Sequence, residues 1–259
     1  MANKLNFKVT KFKELTESQW QFIKPLVTTQ RKIKKDLRII INAILFITRT
    51  GVQWRNLDTK YGAWESVYYY FRKWKKTGVL ENILIQLVHK QRVALGRNAE
   101  ATACAIDSQS VKVVPLTKNA KGIDGNKLVN GRKRHIIVDT VGLPIAIFVG
   151  AANISDGIAG LELLSEITKT TKILRIIRGD NAYKGSFKVA ASYFGYEVEV
   201  KQRPETSKGF VPETGRWQVE RSFAWLSFYR RLSKDYEKTT QSAISFIQLA
   251  FISIILAKF

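Results

Sequence analysis

The 259-residue chain has one cysteine, two histidines, five prolines and about half as many acidic residues as basic ones. A lone Cys104 excludes an internal disulfide. Without a CxxC pair, and with only His89 and His135, there is no thiolate or imidazole metal site to build. Such cysteine usage suits a reducing compartment. No hydrophobic run approaches the roughly 20 residues that span a bilayer. The most apolar stretch, Ile244 to Ala257, is interrupted by Ser245, Gln248 and Ser253, and reads as a buried helix. The opening MANKLNFKVTKFKEL lacks the apolar segment of a secretory signal. The expectation is therefore a cytoplasmic, nucleoid-associated protein with no membrane partner.

What is present is a core and an excess of positive charge. At 45% hydrophobic and 25% charged the chain is folded rather than disordered. Its net charge of +22 and pI near 10.1 call for a polyanion. No single basic amphipathic helix favours a membrane surface, so nucleic acid is the expected partner.

The texture changes near residue 98. Before it, apolar residues recur at helical spacing. Thr16-Glu-Ser-Gln19 reads as a capping box opening a helix through Trp20, Ile23 and Leu26. Leu37, Ile40, Ile41, Ile44 and Leu45 form a stripe that stops at Gly51. Two further helices run from Trp64 to Lys75 and from Val79 to Leu95. Beyond 98, strands are expected at Thr102–Ile106, Arg134–Val138, Pro144–Val149, Ile173–Ile177 and Tyr196–Val200, with helices at Gly157–Thr168, Lys184–Phe194 and from Arg216 onward. The close connection Thr140-Val-Gly142 makes the second and third strands a hairpin. Residues 201–214, with Pro204, Gly209 and Pro212, read as a loop. The result is α/β with an antiparallel start, a mixed five-stranded sheet with helices (99–259), preceded by an all-α region (1–98). Net charge divides as +13 on residues 1–100 and +9 on the rest.

Three carboxylates stand out: Asp107 at the end of the first strand, Asp180 just after the fourth, and Glu220 in a late helix. Parallel strands ending at one edge gather their next residues. Acids converging in a basic protein need cations between them, and two Mg²⁺ about 3.5 to 4 Å apart suit phosphodiester chemistry. On the late helix Arg216 lies about 40° from Glu220, and Arg231 returns to within about 20° of it if the helix continues. These arginines could hold phosphate, although Arg216 and Glu220 equally fit an i,i+4 surface pair.

Five ordered blocks resemble the DDE transposases of bacterial insertion sequences, of the insertion-sequence-five type. They are VQWRNLDTKYGAWESVYYYFRKW (52–74), AIDSQSVK (105–112), DGNKLVNGRKRHIIVDTVGLPIAIFV (124–149), RGDNAYKG (178–185) and RWQVERSFAWLSFYRRLSKDYE (216–237). The resemblance implies a ribonuclease-H-like catalytic core in which Asp107, Asp180 and Glu220 hold two Mg²⁺, with Mn²⁺ able to substitute, and an N-terminal helix-turn-helix-type DNA-binding domain. Around the glutamate the family signature runs Tyr, Arg, Glu, Lys. Arg216 and Glu220 match it, whereas Glu213 and Ser227 occupy the Tyr and Lys positions. Arg231, one turn beyond Ser227, is a candidate replacement for the lysine. Where many relatives carry Arg after the acid at Asp156, this chain has Gly157.

Further DNA contacts are expected from the basic, glycine-punctuated segment between Lys118 and His135, with Lys127, Arg132, Lys133 and Arg134, treated as a flexible loop. The basic end of the 64–76 helix, Arg72, Lys73, Lys75 and Lys76, and the cluster Arg31, Lys32, Lys34, Lys35 and Arg38 are candidates too. The tryptophans and tyrosines from Trp54 to Trp74 read mainly as core, and Asp139, in VDTVG, as turn chemistry. The expected function is binding of terminal inverted repeats, cleavage of the ends and strand transfer into target DNA, by at least a homodimer on double-stranded DNA. The alternatives are a catalytically inactive DNA-binding repressor and a ribonuclease-H-type nuclease or resolvase.

Overall fold

The computed structural model describes residues 11–27, 35–115, 117, 119–200 and 217–259. In order, α1 (Glu17–Val27), α2 (Leu37–Thr50), α3 (Trp64–Lys76) and α4 (Val79–Ala94) precede β1 (Ala103–Lys112), β2 (Gly122–Asp124), β3 (Val129–Asp139) and β4 (Pro144–Ala151). Then come α5 (Asp156–Thr170), β5 (Ile176–Gly179), α6 (Ser186–Tyr193), β6 (Glu197–Val200), α7 (Trp217–Leu226) and α8 (Thr240–Leu256).

Local chemistry explains the helix ends. At α1 the capping box is reciprocal: Gln19 N donates to Thr16 Oγ1 at 3.3 Å and Thr16 N donates to Gln19 Oε1 at 2.8 Å. Asp36 caps α2 by accepting from Arg38 N at 2.8 Å. Gly51 closes it at φ +72°, its N–H bonded to the Ile47 carbonyl, a left-handed conformation that suits glycine. The α2–α3 connection is 13 residues with two short 3-10 turns, at Trp54–Asn56 and Thr59–Tyr61, whereas Thr77 and Gly78 alone join α3 to α4. A helix-turn-helix has a turn of about three or four residues between its helices, so the expected motif is not reproduced at α2–α3.

The sheet runs β4-β3-β1-β5-β6, with the short β2 lying on the same edge of β3 as β4. β1, β3 and β4 are antiparallel, and β5 and β6 run parallel to β1. The five expected strands are present in the expected sequence, with β2 as a sixth. Alternate residues face opposite sides. Cys104, Ile106 and Ile137 pack with α5 and α6 residues such as Leu163 and Phe187. Ala105, Ile136 and Val138 pack with α7, α8 and the N-terminal helices in one continuous cluster. α8 is almost wholly buried and lies against α4 and β4. No described helix is long and apolar enough to cross a membrane.

Three expectations need correction. β1 does not end at Asp107 but continues to Lys112, because its polar half pairs with residues 131–136 of β3. Arg132, Lys133 and Arg134 are not on a flexible loop but inside β3, and all three are buried. α7 stops at Leu226, so Arg231, in a separate 3-10 turn (Arg230–Leu232), does not share a helical face with Glu220.

Candidate active site

The parallel pairing of β1 with β5 sets Cys104 opposite Ile177 and Ala105 opposite Arg178. Asp107 lies two residues further along β1 and Asp180 is the residue that follows β5, so both stand toward the same end of the central parallel pair. Both are half-buried. β5 ends at Gly179, and Asp180 opens a 3-10 turn (Asn181–Tyr183) by accepting from Ala182 N at 2.9 Å. Asp107 accepts from Ser108 N at 2.7 Å.

Asp107 pairs with Ile136 across β1–β3, and so lies on the sheet face that packs against α7. On that helix Val219, Phe223 and Leu226 point into the core, which leaves Glu220, in the first turn, exposed. The helix is fastened to the β3–β4 turn. Arg221 Nη2 donates to the Val141 carbonyl at 2.8 Å, and Ser222 Oγ to the Gly142 carbonyl at 2.9 Å. The Arg221 guanidinium also lies 4.2 Å and 4.8 Å from the ring centroids of Trp217 and Trp225. Among the described residues no three His, Cys, Asp or Glu side chains stand close enough to hold one metal ion. The topology thus puts two of the three acids toward one end of the parallel pair, with Glu220 on the helix that covers the face of Asp107. The donors are all carboxylate oxygens, which fits a hard divalent cation.

The expected phosphate contacts fare differently. Arg216, Glu213, Lys118, Arg31, Lys32 and Lys34 lie outside the described residues, as does the loop with Pro204, Gly209 and Pro212. Arg132 is fully buried, 3.1 Å from Asp235 and bonded to the carbonyls of Glu237 (2.9 Å) and Asn119 (2.8 Å). Arg134 donates to the Leu232 carbonyl at 2.9 Å, and burial draws its pKa down to about 10. Lys133 sits between Asp156 (2.9 Å) and Asp124 (3.8 Å). These three cations face carboxylates and carbonyls inside the protein rather than a surface polyanion. Their spacing in GRKRH resembles a basic loop because inward and outward cations look alike without their partners. Arg231 is likewise engaged, 2.6 Å from Glu237 and over the ring of Phe246.

Lys127, at the β2–β3 turn, is exposed. On α3, Val67, Tyr70, Phe71 and Trp74 are buried, while Tyr69, Arg72 and Lys76 form an outward stripe with Lys73 beside it. Lys75 turns back toward the core, bonding Ser242 Oγ at 2.9 Å, and burial lowers its pKa. Asp139 carries the turn chemistry expected of VDTVG, accepting from Val141 N and Leu143 N. Two features escaped the sequence reading. One is the buried partner of Asp139, Arg92, which ties α4 to the β3–β4 turn. The other is His135, whose ring is buried with no hydrogen-bond partner among the described residues and whose pKa burial lowers to about 4. Burial of either could not be read from local spacing.

A mixed sheet of this order, antiparallel at its start and parallel thereafter, is the arrangement of a ribonuclease-H-like core. The chain matches the family "Transposase DDE domain" over residues 98–256 and "Putative transposase of IS4/5 family" over residues 15–84. It belongs to the DDE transposase family of insertion sequences. It is 30% identical over 132 residues to a "Putative transposase for insertion sequence element IS402" of Burkholderia cepacia, a match covering 46% of this chain and 60% of that protein. It is 26% identical over 118 residues to "Uncharacterized protein y4sN" of Sinorhizobium fredii, covering 44% and 88%. It is also 26% identical over 110 residues to an "Insertion element IS402 uncharacterized 16.2 kDa protein" of Burkholderia cepacia, covering 39% and 74%.

Proposed function

We propose that this chain is a transposase that binds the terminal inverted repeats of its own insertion sequence, cuts at the ends and joins them to target DNA. The observation that supports the reading is the parallel pairing of β1 with β5, toward one end of which Asp107 and Asp180 lie, with α7 and Glu220 covering the face of Asp107. In this division residues 1–98 grip the ends and residues 99–259 do the chemistry. The exposed stripe of Tyr69, Arg72 and Lys76 on α3, with the half-buried Lys73 beside it, contacts the phosphate backbone, with Lys127 from the catalytic part. Those contacts position the duplex, and any sequence reading falls to base-edge contacts.

Asp107, Asp180 and Glu220 would hold two divalent cations, which when bound activate the attacking oxygen and stabilise the leaving one. At each end, water attacks the phosphorus and the bond to the 3′-oxygen breaks, freeing a 3′-hydroxyl. That hydroxyl then attacks a target phosphodiester and displaces the target's own 3′-oxygen. Two ends require two sites, so the active form is at least a homodimer on DNA.

The test uses the full chain and the DNA flanking its gene. Asp107→Ala, Asp180→Ala and Glu220→Gln should each keep binding that DNA while losing Mg²⁺-dependent cleavage and joining. Full cleavage by any of them removes that residue from the chemistry. End binding by the unmodified chain with no cutting in Mg²⁺ or Mn²⁺ supports a repressor, and cutting without joining a nuclease.

A further inference from the structure

We propose that Lys133, Asp156 and Gly157 form a positioning device for Asp180. They clamp the start of α5 against the turn that carries that acid. The inference rests on Asp180 being part of the chemistry.

The clamp begins on β3. Lys133 pairs with Ser110 across the strands, and so projects from the sheet face opposite to that of Asp107. Its side chain is 9% exposed. The ammonium stands 2.9 Å from Asp156 Oδ1, donates to the Ile154 carbonyl at 3.1 Å, and has Asp124 at 3.8 Å. It therefore ties down the link between β4 and α5 at two points. Little water surrounds the pair to screen it.

The next residue makes the contact. Gly157 packs so closely on the turn after Asp180 that a Cβ there would lie 2.9 Å from the Ala182 carbonyl oxygen, a contact real Cβ atoms essentially never make. One turn further, a Cβ at Gly160 would come within 2.7 Å of the Phe187 ring. Ala182 is also the residue whose N–H Asp180 Oδ1 accepts, at 2.9 Å. A path of direct contacts thus runs from Lys133 through Asp156 and Gly157 to Ala182 and Asp180. A side chain at 157 would force either the Ala182 carbonyl, and with it the turn that follows Asp180, or the start of α5 to shift.

The test separates positioning from phosphate contact, the role a basic residue in this segment would otherwise be given. Lys133→Met and Gly157→Ala are compared with the unmodified chain on the DNA flanking its gene. Positioning predicts unchanged end affinity and an unchanged slope of affinity against salt, with cleavage about tenfold to a hundredfold slower. It also predicts faster hydrogen exchange at the Ala182 amide, with the α8 amides unaffected. A weaker Lys133→Met complex with a salt slope shallower by about one means a phosphate contact, and overturns the proposal. So does unchanged cleavage in both variants. Because Lys133→Met leaves two carboxylates facing each other, the double variant Lys133→Met/Asp156→Asn removes that repulsion. Slow cleavage in the double variant upholds the clamp, and cleavage restored to normal overturns it. Asp180→Ala, measured in parallel, separates the two readings: normal cleavage there removes Asp180 from the chemistry, whereas its loss beside normal Lys133→Met and Gly157→Ala defeats the clamp alone.

Discussion

Two basic segments, α3 and the middle of β3, look alike in sequence and behave oppositely in the fold. On α3, Arg72, Lys73 and Lys76 follow an aromatic run whose inward members, Tyr70, Phe71 and Trp74, fill the core, so the cations between them are turned outward. In β3, Arg132, Lys133 and Arg134 are consecutive, so they alternate between two sheet faces that are both covered, and none reaches the surface. A helix at the surface has one side to spare for solvent, whereas a strand in the middle of a two-sided sheet has none. The contrast shows that the count of 43 basic residues overstates the cations available to a polyanion. Part of that number is paired internally with Asp235, Asp156, Asp139 and Glu237.

The largest effect that tests this contrast is expected at Arg132. Arg132→Met leaves Asp235, 1% exposed, without its cation. Chemical denaturation should show a loss of about 3–5 kcal/mol, with no change in the salt slope of DNA binding. A shallower slope at unchanged stability would put Arg132 on the DNA side of the comparison.

His135, next to Arg134, should give a smaller, pH-dependent effect. Its folded pKa, near 4, is below the ordinary value of 6.5, mainly because of burial, against the opposing pull of Asp156 and with help from Lys133 and Lys127. The unfolded chain therefore binds the proton more readily. Stability is fully present above pH 6.5 and falls as pH drops toward 4, with a limiting slope of about 1.4 kcal/mol per pH unit. His135→Phe should flatten that part of the profile in melts taken from pH 7 to 4. An unaltered profile would mean that the ring is solvated.

The smallest stability change belongs to α3. Replacing Arg72, Lys73 and Lys76 together by alanine should alter stability by no more than about 0.5 kcal/mol per site, since Arg72 and Lys76 are exposed and Lys73 is only half-buried. DNA binding should weaken, with the salt slope falling by about one for each phosphate that no longer meets a cation. Loss of folding without loss of slope would make α3 another β3.

Legibility in the sequence followed the range of the interaction. Thr16 and Gln19 announced the start of α1 because their bonds span three residues, and Gly51 announced the end of α2 because the left-handed turn is its own requirement. The order of five strands, and the positions of Asp107 and Asp180 near the ends of apolar runs, were legible for the same local reason. The polar half of β1, Asp107 to Lys112, was not, since only its distant partner β3 makes DSQSVK a strand. The early stop of α7 was also hidden. It is accompanied by Arg132 and Arg134 bonding residues of the 232–238 segment, about a hundred positions away in the chain.

The sequence by itself determined the helix-then-sheet order, the family, and which three acids to consider, because motifs and hydrophobic periods are carried by neighbouring residues. Only the tertiary structure decided which cations face outward, that β1 and β5 pair in parallel, and that Gly157 presses on the turn that follows Asp180. A charge has a function only through what lies within a few ångströms of it, and in this fold those neighbours come from distant parts of the chain.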